Sequence, residues 1–200
     1  MTQDFEALKD QMRACRICTR AERPLPHEPC PVFQLNSEAR ILVASQAPGN
    51  LANQSGIPFS DPSGERLRDW MGIGRDEFYD ESKLAILPMG LCFPGYTPAG
   101  ADKPPRKECA PAWREQALTF LPQIRVRLLI GGYAQKWHLG DGYAGSVTST
   151  VENWRAYAPD TFVLPHPSWR NNAWLKKHPW FQDELVPELR QQVQLALSSF

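Results

Sequence analysis

The sequence predicts an α/β fold: a three-layer α/β/α sandwich around a central four-stranded, mostly parallel sheet. Two observations lead to this prediction. Four short apolar runs have the composition of buried parallel strands, and segments with helical patterns lie between them. That alternation is typical of strand–helix crossovers in a parallel sheet. With 200 residues, of which 42% are hydrophobic, the chain can enclose one substantial core, so we expect a single domain over residues 1–200.

The elements are predicted in a regular order. A helix at Asp4–Ala14 comes before the first strand, and apolar residues recurring every four positions predict a C-terminal amphipathic helix at Phe181–Leu197. The predicted strands are Arg40–Ser45, Lys83–Leu87, Arg127–Gly131 and Thr161–Leu164. The helices among them are predicted at Glu65–Met71, Trp113–Leu121, Tyr133–Leu139 and Val147–Tyr157. The stretch Cys92–Cys109 contains four prolines, which predicts an irregular loop ordered by its own contacts or by a ligand.

Composition narrows the function. Twenty-two basic residues balance 22 acidic ones, so any DNA-binding surface must be local. No run approaches the roughly 18 apolar residues of a membrane span, and the first ten residues contain no signal-peptide core. We therefore expect a cytoplasmic protein with no membrane partner. Five cysteines in a reducing compartment favour metal ligation or plain burial over disulfides.

Two loops at one edge of the sheet are candidate sites. Ser45–Gly64 (SQAPGNLANQSGIPFSDPSG) follows the first strand, where open parallel sheets bind ligands. Taken alone it favours an ordinary loop, with Phe59 in the core and Asp61 capping a helix. Leu164–Asn171 (LPHPSWRN) follows the last strand and brings His166 to the same edge, where it can donate a hydrogen bond to a carbonyl oxygen that gains charge. A histidine that merely fixes a turn between two prolines explains that segment equally well.

Together these segments resemble the uracil-DNA glycosylase superfamily, most closely its bacterial family-four and family-five branches, which carry iron–sulfur clusters. Those relatives have a GEAPG- or GLAPA-type turn after the first strand, an aromatic residue that stacks on the extruded base, and an HPS-type segment after the last strand. Here SQAPG spans Ser45–Gly49, the aromatic residue is Phe59, and HPS occupies His166–Ser168. The resemblance covers most of the chain.

Four cysteines form part of the resemblance. Relatives have an N-terminal CxxC and a distant pair about 16 residues apart, matched here by Cys15, Cys18, Cys92 and Cys109. The spacing alone indicates a metal site, and zinc takes the same four thiolates as an iron–sulfur cluster. The resemblance implies a [4Fe–4S] cluster, with structural zinc as the alternative. Cys30 is expected to be a plain thiol, unless it exchanges with a cluster ligand.

The resemblance implies a monofunctional DNA glycosylase of base excision repair, which hydrolyses the N-glycosidic bond of a damaged base, uracil first. Phe59 would stack on the base, His166 would stabilise the leaving base, and Asp61 with Gln46 would position the attacking water. The other residues expected to line the substrate site are Ala47, Pro48, Gly49, Asn50, Asn53 and Ser168.

Two positions depart from the relatives' pattern. Family four has a glutamate where this chain has Gln46, so the carboxylate role is expected to pass to Asp61, as in family five. Relatives also have a base-reading asparagine just before the third cysteine, where this chain has LPMGLC over residues 87–92. Backbone groups, Asn50 or Asn53 are therefore expected to read the base, and hypoxanthine and xanthine stay open as substrates.

The segment WRNNAWLKK over residues 169–177 is predicted to hold the DNA, because a base must be rotated out of the duplex before its bond can be reached. Trp169 can stack or wedge, and the polar residues can contact the backbone or its phosphates. The predicted contacts are Trp169, Arg170, Asn171, Lys176 and Lys177. Ordinary packing of the tryptophans and solvation of the lysines is the alternative.

Two other functions fit the sequence. A protein that binds DNA lesions or abasic sites, with weak or no catalysis, would explain Gln46 and the missing asparagine. Hydrolysis of free nucleosides or nucleotides on the same fold would suit the net charge of zero. In the first interpretation the partner is DNA containing a damaged base, and the protein is expected to be a monomer.

Overall fold

The computed structural model describes residues 2–20 and 24–198 of the chain. Its sheet consists of four strands: β1 Ile41–Ala44, β2 Leu84–Ile86, β3 Val126–Ile130 and β4 Thr161–Leu164. All three strand pairings are parallel, and the strands lie in the order β2-β1-β3-β4. The four predicted strands are confirmed, each shifted by at most one residue at either end, and the sheet is fully parallel where mostly parallel was predicted.

The described part of the chain contains nine α-helices around this sheet. They are α1 Thr2–Arg13, α2 Asn50–Ser55, α3 Pro62–Met71, α4 Arg75–Phe78, α5 Cys109–Thr119, α6 Gly131–Leu139, α7 Val147–Glu152, α8 Asn172–Lys177 and α9 Val186–Ser198. None of the helices in residues 2–20 and 24–198 is long and apolar enough to cross a membrane.

The side chains of residues 41–43 in β1 alternate between two cores, as the two-residue period of a strand requires. Ile41 and Val43 of β1 pack in one core with residues of α3 and α9, whereas Leu42 packs in the other core with residues of α1 and α5. Helices therefore cover both faces of the sheet, in which Arg127 of β3 is exposed. This arrangement confirms the predicted three-layer sandwich.

Several predicted boundaries were wrong, among them the start of the helix predicted at Glu65, which begins at Pro62. The predicted helix Val147–Tyr157 ends at Glu152, and a separate 3₁₀ turn follows at Trp154–Ala156. Gly131 begins α6 instead of ending β3, because its φ of 77° suits a sharp turn that glycine adopts at little cost. Helix α5 starts at Cys109, four residues before the predicted start, since Pro111 is tolerated in a first helical turn. The C-terminal helix opens with a π-helical turn at Phe181–Leu185, where Pro187 lacks the N–H that would bond back to Asp183.

The strand order changes direction at β1, which has β2 on one side and β3 on the other. In such sheets the crevice for a ligand opens at the carboxyl ends of the strands beside this point. Three loops leave the sheet at that edge: residues 45–49 after β1, residues 87–92 after β2 and residues 165–171 after β4.

Candidate functional site

The three loops enclose a cavity, called here the central cavity. Its polar side chains are those of Ser45, Asp61, Ser63, Asp102 and His166, and the rest of its wall is apolar or backbone. The full set of lining residues is Val32, Ser45, Ala47, Pro48, Gly49, Ala52, Pro58, Phe59, Asp61, Ser63, Ile86, Pro88, Asp102 and His166. Phe59, Asp61 and His166, which the sequence assigns to one site, therefore line the same cavity.

Phe59 has a backbone conformation that is rare for a residue with a side chain, with φ of 53°. Its carbonyl oxygen accepts hydrogen bonds from Tyr79 Oη at 3.0 Å and Arg68 Nη1 at 3.4 Å, which hold it there. Its ring meets the edge of the Phe78 ring, with the centroids 6.1 Å apart. Phe59 thus packs on the core and also forms part of the cavity wall, so both of its predicted roles are compatible.

Asp61 is the N-cap of α3, as the simpler interpretation of the loop predicts. Its Oδ1 accepts hydrogen bonds from Ser63 Oγ at 2.6 Å and from the Gly64 N–H at 3.3 Å. Both bonds use the same carboxylate oxygen, so the cap does not occupy Oδ2. The residue can therefore fix the start of a helix and still offer an acceptor to the cavity.

His166 is held through its backbone. Asn171 Nδ2 donates to the His166 carbonyl at 2.7 Å, and Arg66 Nη1 donates to the Ser168 carbonyl at 3.1 Å. Burial lowers the pKa of the His166 imidazole below its usual range, while the nearby charges of Asp61 and Asp102 oppose that shift. The ring is therefore neutral near pH 7, where it can still donate one hydrogen bond.

A second cavity, the side groove, adjoins the central cavity and shares Ala47, Pro48, Asp102 and His166 with it. Its lining residues are Gln46, Ala47, Pro48, Pro94, Asp102, Lys103, His166, Ser168, Arg170 and Asn171. Gln46 lies here and not in the central cavity, and its Nε2 approaches the Lys103 carbonyl at 3.5 Å. Gln46 and Asp61 thus line adjoining cavities, and the expectation that they hold one water together stays a prediction.

Two asparagines that were expected to read a base are absent from the lining of both cavities. Asn50 is the first residue of α2. Asn53 Oδ1 is buried with no hydrogen-bond partner among the described residues.

The predicted DNA segment lies beside the side groove. Ser168, Arg170 and Asn171 line the groove, and Trp169 next to them has 72% of its surface exposed. Lys176 and Lys177 end α8 and are both exposed. Trp174, in contrast, packs on the core and donates through Nε1 to Thr148 Oγ1 at 2.9 Å, so for this residue the packing alternative holds.

The four predicted cysteine ligands line one small cavity, called here the thiol cavity, together with Pro29, Gly90, Leu91 and Arg106. Burial, followed by the neighbouring thiols, raises the pKa of the Cys92 thiol to about 12, and burial likewise raises the pKa of the Cys109 thiol to about 12. Among residues 2–20 and 24–198, no three Cys, His, Asp or Glu side chains are arranged to hold one metal ion. The four thiols thus share one cavity.

Hydrogen bonds to sulfur surround the thiol cavity. The Leu91 N–H donates to Cys109 Sγ at 3.2 Å, and Trp113 Nε1 donates to Cys15 Sγ at 3.3 Å. The backbone N–H of Cys30 donates to the Cys92 sulfur. Cys30 is half-buried and does not line the thiol cavity, and its role as a plain thiol stays a prediction.

Three residues near the site were not predicted from the sequence. Asp102 and Lys103 come from the proline-rich loop, which has no periodicity that could place a side chain. Arg114 of α5 is 1% exposed and donates to the carbonyls of Leu87 at 2.8 Å and Pro88 at 3.2 Å, so it fixes the end of β2. A single arginine within a helical pattern gives no signal of burial.

Comparison of the chain with known proteins identifies a protein family. A family model described as the uracil DNA glycosylase superfamily matches residues 32–190, a range that contains all three loops of the central cavity. Among solved structures, the chain is similar to the solution NMR structure of a proposed uracil DNA glycosylase from Methanosarcina acetivorans. The sequence identity is 14%, the TM-score is 0.46, and the match covers 80% of this chain and 97% of that chain.

Proposed function

This chain belongs to the uracil DNA glycosylase superfamily, so its role is of the DNA glycosylase type, and we propose that it hydrolyses the N-glycosidic bond of a damaged base in DNA, with uracil the first candidate. The observation that carries the proposal is the meeting of Phe59, Asp61 and His166 in the central cavity. An aromatic wall, a carboxylate and a neutral imidazole are the groups that this reaction needs.

The reaction follows from these three side chains. The extruded base stacks on the ring of Phe59, and the bond between the sugar C1′ and the base nitrogen breaks with its electron pair leaving on the base. His166 donates a hydrogen bond to the base carbonyl oxygen that gains negative charge. The Asp61 carboxylate stabilises the positive charge on the sugar and accepts a proton from the water that attacks C1′. The product is an abasic site.

DNA binding in this proposal uses the surface beside the side groove. Arg170, together with Lys103 of the proline-rich loop, contacts phosphates next to the extruded nucleotide. The exposed Trp169 stacks in or beside the gap, and Lys176 with Lys177 extends the positive surface along α8. The charge is local, which is consistent with a net charge of zero.

The experiment that tests the proposal is alkaline strand cleavage of matched oligonucleotides that carry one uracil, hypoxanthine or xanthine. The wild-type protein should cut at one or more of these bases, and Asp61→Asn and His166→Ala should each reduce the rate by about 100-fold or more. Asp141→Asn is the matched control, because Asp141 is exposed in the turn Gly140–Gly142 and lines neither cavity. Tight binding of the lesion without any cleavage by the wild-type protein would instead indicate a lesion-binding protein.

The proposal extends to a [4Fe–4S] cluster held by Cys15, Cys18, Cys92 and Cys109. Its support is a cavity lined by all four thiols, with N–H donors directed at three of the sulfurs. A single zinc ion would draw the sulfurs to about 2.3 Å from one point, whereas a cluster binds ligands that are farther apart. When bound, such a cluster would join the N-terminal segment to both ends of the proline-rich loop, and its binding would displace the thiol protons.

Metal analysis of protein purified without oxygen tests the cluster. We expect iron and acid-labile sulfide in equal amounts and little zinc. Cys92→Ala should lose both, while Cys30→Ala should keep both, since Cys30 does not line the thiol cavity. One zinc and no iron per chain would replace the cluster with a structural zinc site.

A further inference from the structure

Five backbone groups of the segment that follows β2 already have hydrogen-bond partners. The N–H groups of Met89 and Gly90 donate to the carbonyls of Ser45 and Gln46 at 2.8 and 2.9 Å, and the Leu91 N–H donates to Cys109 Sγ. The Leu87 and Pro88 carbonyls accept from Arg114. Pro88, the residue of this segment that lines the central cavity, has an apolar side chain and no N–H, so it contributes only a wall. Base recognition therefore requires a polar group elsewhere in the central cavity.

The five polar side chains of the central cavity are not equally available for this purpose. Ser63 Oγ donates to Asp61, and Asp61 uses Oδ1 to cap α3. In the proposed function, Asp61 accepts a proton from the attacking water, and His166 donates a hydrogen bond to the carbonyl oxygen of the leaving base. Ser45 is 4% exposed and lies at the root of its loop. Asp102 is the remaining candidate for reading the base. Its carboxylate makes no ion pair with the side chains of residues 2–20 and 24–198.

Hydrogen bonds hold the backbone at Asp102 in place, although the residue is exposed. It pairs with Tyr96 in an antiparallel bridge, and the Lys103 N–H donates to the Gly95 carbonyl at 2.9 Å. Two hydrogen bonds close the turn before it: the Thr97 N–H donates to the Ala101 carbonyl at 2.7 Å, and the Ala101 N–H donates to Thr97 Oγ1 at 3.1 Å. These bonds fix the backbone that carries Asp102, which lines both the central cavity and the side groove. A fixed carboxylate at the mouth of a cavity can select a ligand by its hydrogen-bond donors.

We propose that Asp102 is the specificity-determining residue of this site and that its carboxylate accepts a hydrogen bond from a ring N–H of the extruded base. This inference rests on the proposed function. Deamination converts an acceptor nitrogen on the pairing edge into a donor: N3 of cytosine becomes N3–H of uracil, and N1 of adenine becomes N1–H of hypoxanthine. A carboxylate attracts the donor and repels the lone pair of the parent base, cytosine or adenine. Asp102 therefore suits the feature that uracil and hypoxanthine share, without the asparagine of relatives.

The test compares each base with its N-methyl derivative, which lacks the donor. Oligonucleotides carry deoxyuridine or N3-methyldeoxyuridine, and deoxyinosine or N1-methyldeoxyinosine. The wild-type protein should prefer the N–H base in kcat/KM, and Asp102→Ala should reduce that preference by about tenfold. Asp102→Asn should keep more of the preference, because its carbonyl oxygen still accepts a hydrogen bond. Asp141→Ala is the matched control and should leave the preference unchanged.

A binding measurement separates this inference from the proposed function. Dissociation constants for uncleavable 2′-fluoro versions of the same oligonucleotides report base recognition even if no bond is broken. A preference for the N–H base that falls in Asp102→Ala supports the inference whether or not the wild-type protein cleaves. An unchanged preference in Asp102→Ala overturns it, as does an equal loss of cleavage on both bases, which would make Asp102 part of the bond-breaking chemistry.

Discussion

Asp61 combines two tasks in one carboxylate. Oδ1 satisfies the Gly64 N–H at the start of α3, while the negative charge of the group faces the central cavity. Capping requires an oxygen acceptor and no charge, so asparagine caps a helix about as well as aspartate. Stabilising a cationic sugar and accepting a proton require the charge. The two tasks can therefore be separated by substitution.

We expect Asp61→Asn to keep its stability and lose its activity. Its free energy of unfolding should remain within about 0.5 kcal/mol of the wild-type value, while the single-turnover cleavage rate falls by about 100-fold or more. Asp61→Ala should lose the same activity and also about 1 kcal/mol of stability, because the cap is gone. Denaturant unfolding and single-turnover kinetics on the same preparations measure both. A wild-type cleavage rate in Asp61→Asn would remove the carboxylate from the reaction.

At the scale of elements, the first turn of α3 is pressed against the residue that forms the cavity wall. A β-carbon on Gly64 would lie 1.9 Å from the Phe59 carbonyl oxygen, closer than any real contact. That oxygen is already fixed by Tyr79 and Arg68. The absence of a side chain at position 64 is thus what allows Phe59 its strained conformation beside the cavity.

Gly64→Ala should therefore displace Phe59 and weaken the fold together with the site. We expect a loss of about 2 kcal/mol or more in the free energy of unfolding and a cleavage rate that falls with it. Gly142→Ala is the control, because its β-carbon would meet only ordinary contacts, the nearest at 3.7 Å, and it should change stability by less than about 0.5 kcal/mol. If Gly64→Ala unfolds at the same denaturant concentration as Gly142→Ala, the close packing of α3 on Phe59 is not important.

Helices α5 and α6 are joined by a buried pair that responds to acid. Arg114 Nη2 lies 2.7 Å and Nε 3.1 Å from His138 Nε2, so this nitrogen must be the unprotonated acceptor. Burial, followed by the charge of Arg114, lowers the pKa of His138 to about 3. The unfolded chain takes up this proton near pH 6.5 and the folded chain does not, so the unfolded state binds more protons below that pH. Stability from this pair is complete above pH 6.5 and falls as the pH drops towards 3.

We expect the wild-type protein to lose about 2 kcal/mol through His138 between pH 6.5 and pH 5. His138→Gln cannot take up a proton, yet its side-chain oxygen can accept from Arg114, so its stability should fall less steeply over the same range. His166 titrates in the same direction in both proteins, and the difference between their slopes therefore isolates His138. Denaturant unfolding at half-unit pH steps measures the slopes. Parallel curves for the two proteins would contradict the buried, neutral state of His138.

At the scale of the whole molecule, the sequence predicted well the features that follow from the periodicity of its apolar residues. The strands were found because they are largely buried apolar runs, and Phe59, Asp61 and His166 were brought together because parallel strands end at one edge. The shared role of Gln46 and Asp61 stays a prediction, because Gln46 lines the side groove whereas Asp61 lines the adjoining central cavity. Asp102 was missed because its position depends on how an aperiodic loop closes, and Arg114 because a buried charge depends on distant carbonyls.

The same whole-molecule view predicts how binding depends on salt. With a net charge of zero, attraction to DNA must come from a few cations on one surface, and α8 supplies Lys176 and Lys177 there. Each phosphate contact contributes about 0.9 to the slope of log affinity against log salt on duplex DNA, because binding releases condensed counterions. The Lys176→Gln, Lys177→Gln double variant should therefore bind more weakly at 50 mM salt, with a slope smaller by about 1.8 over 50–200 mM.

Lys83→Gln is the control, because Lys83 precedes β2 at the opposite edge of the sheet from the loops, and its slope should match that of the wild-type protein. An unchanged slope in the double variant would show that α8 faces away from the DNA, and the contacts would then have to come from Lys103 and Arg170 at the side groove alone.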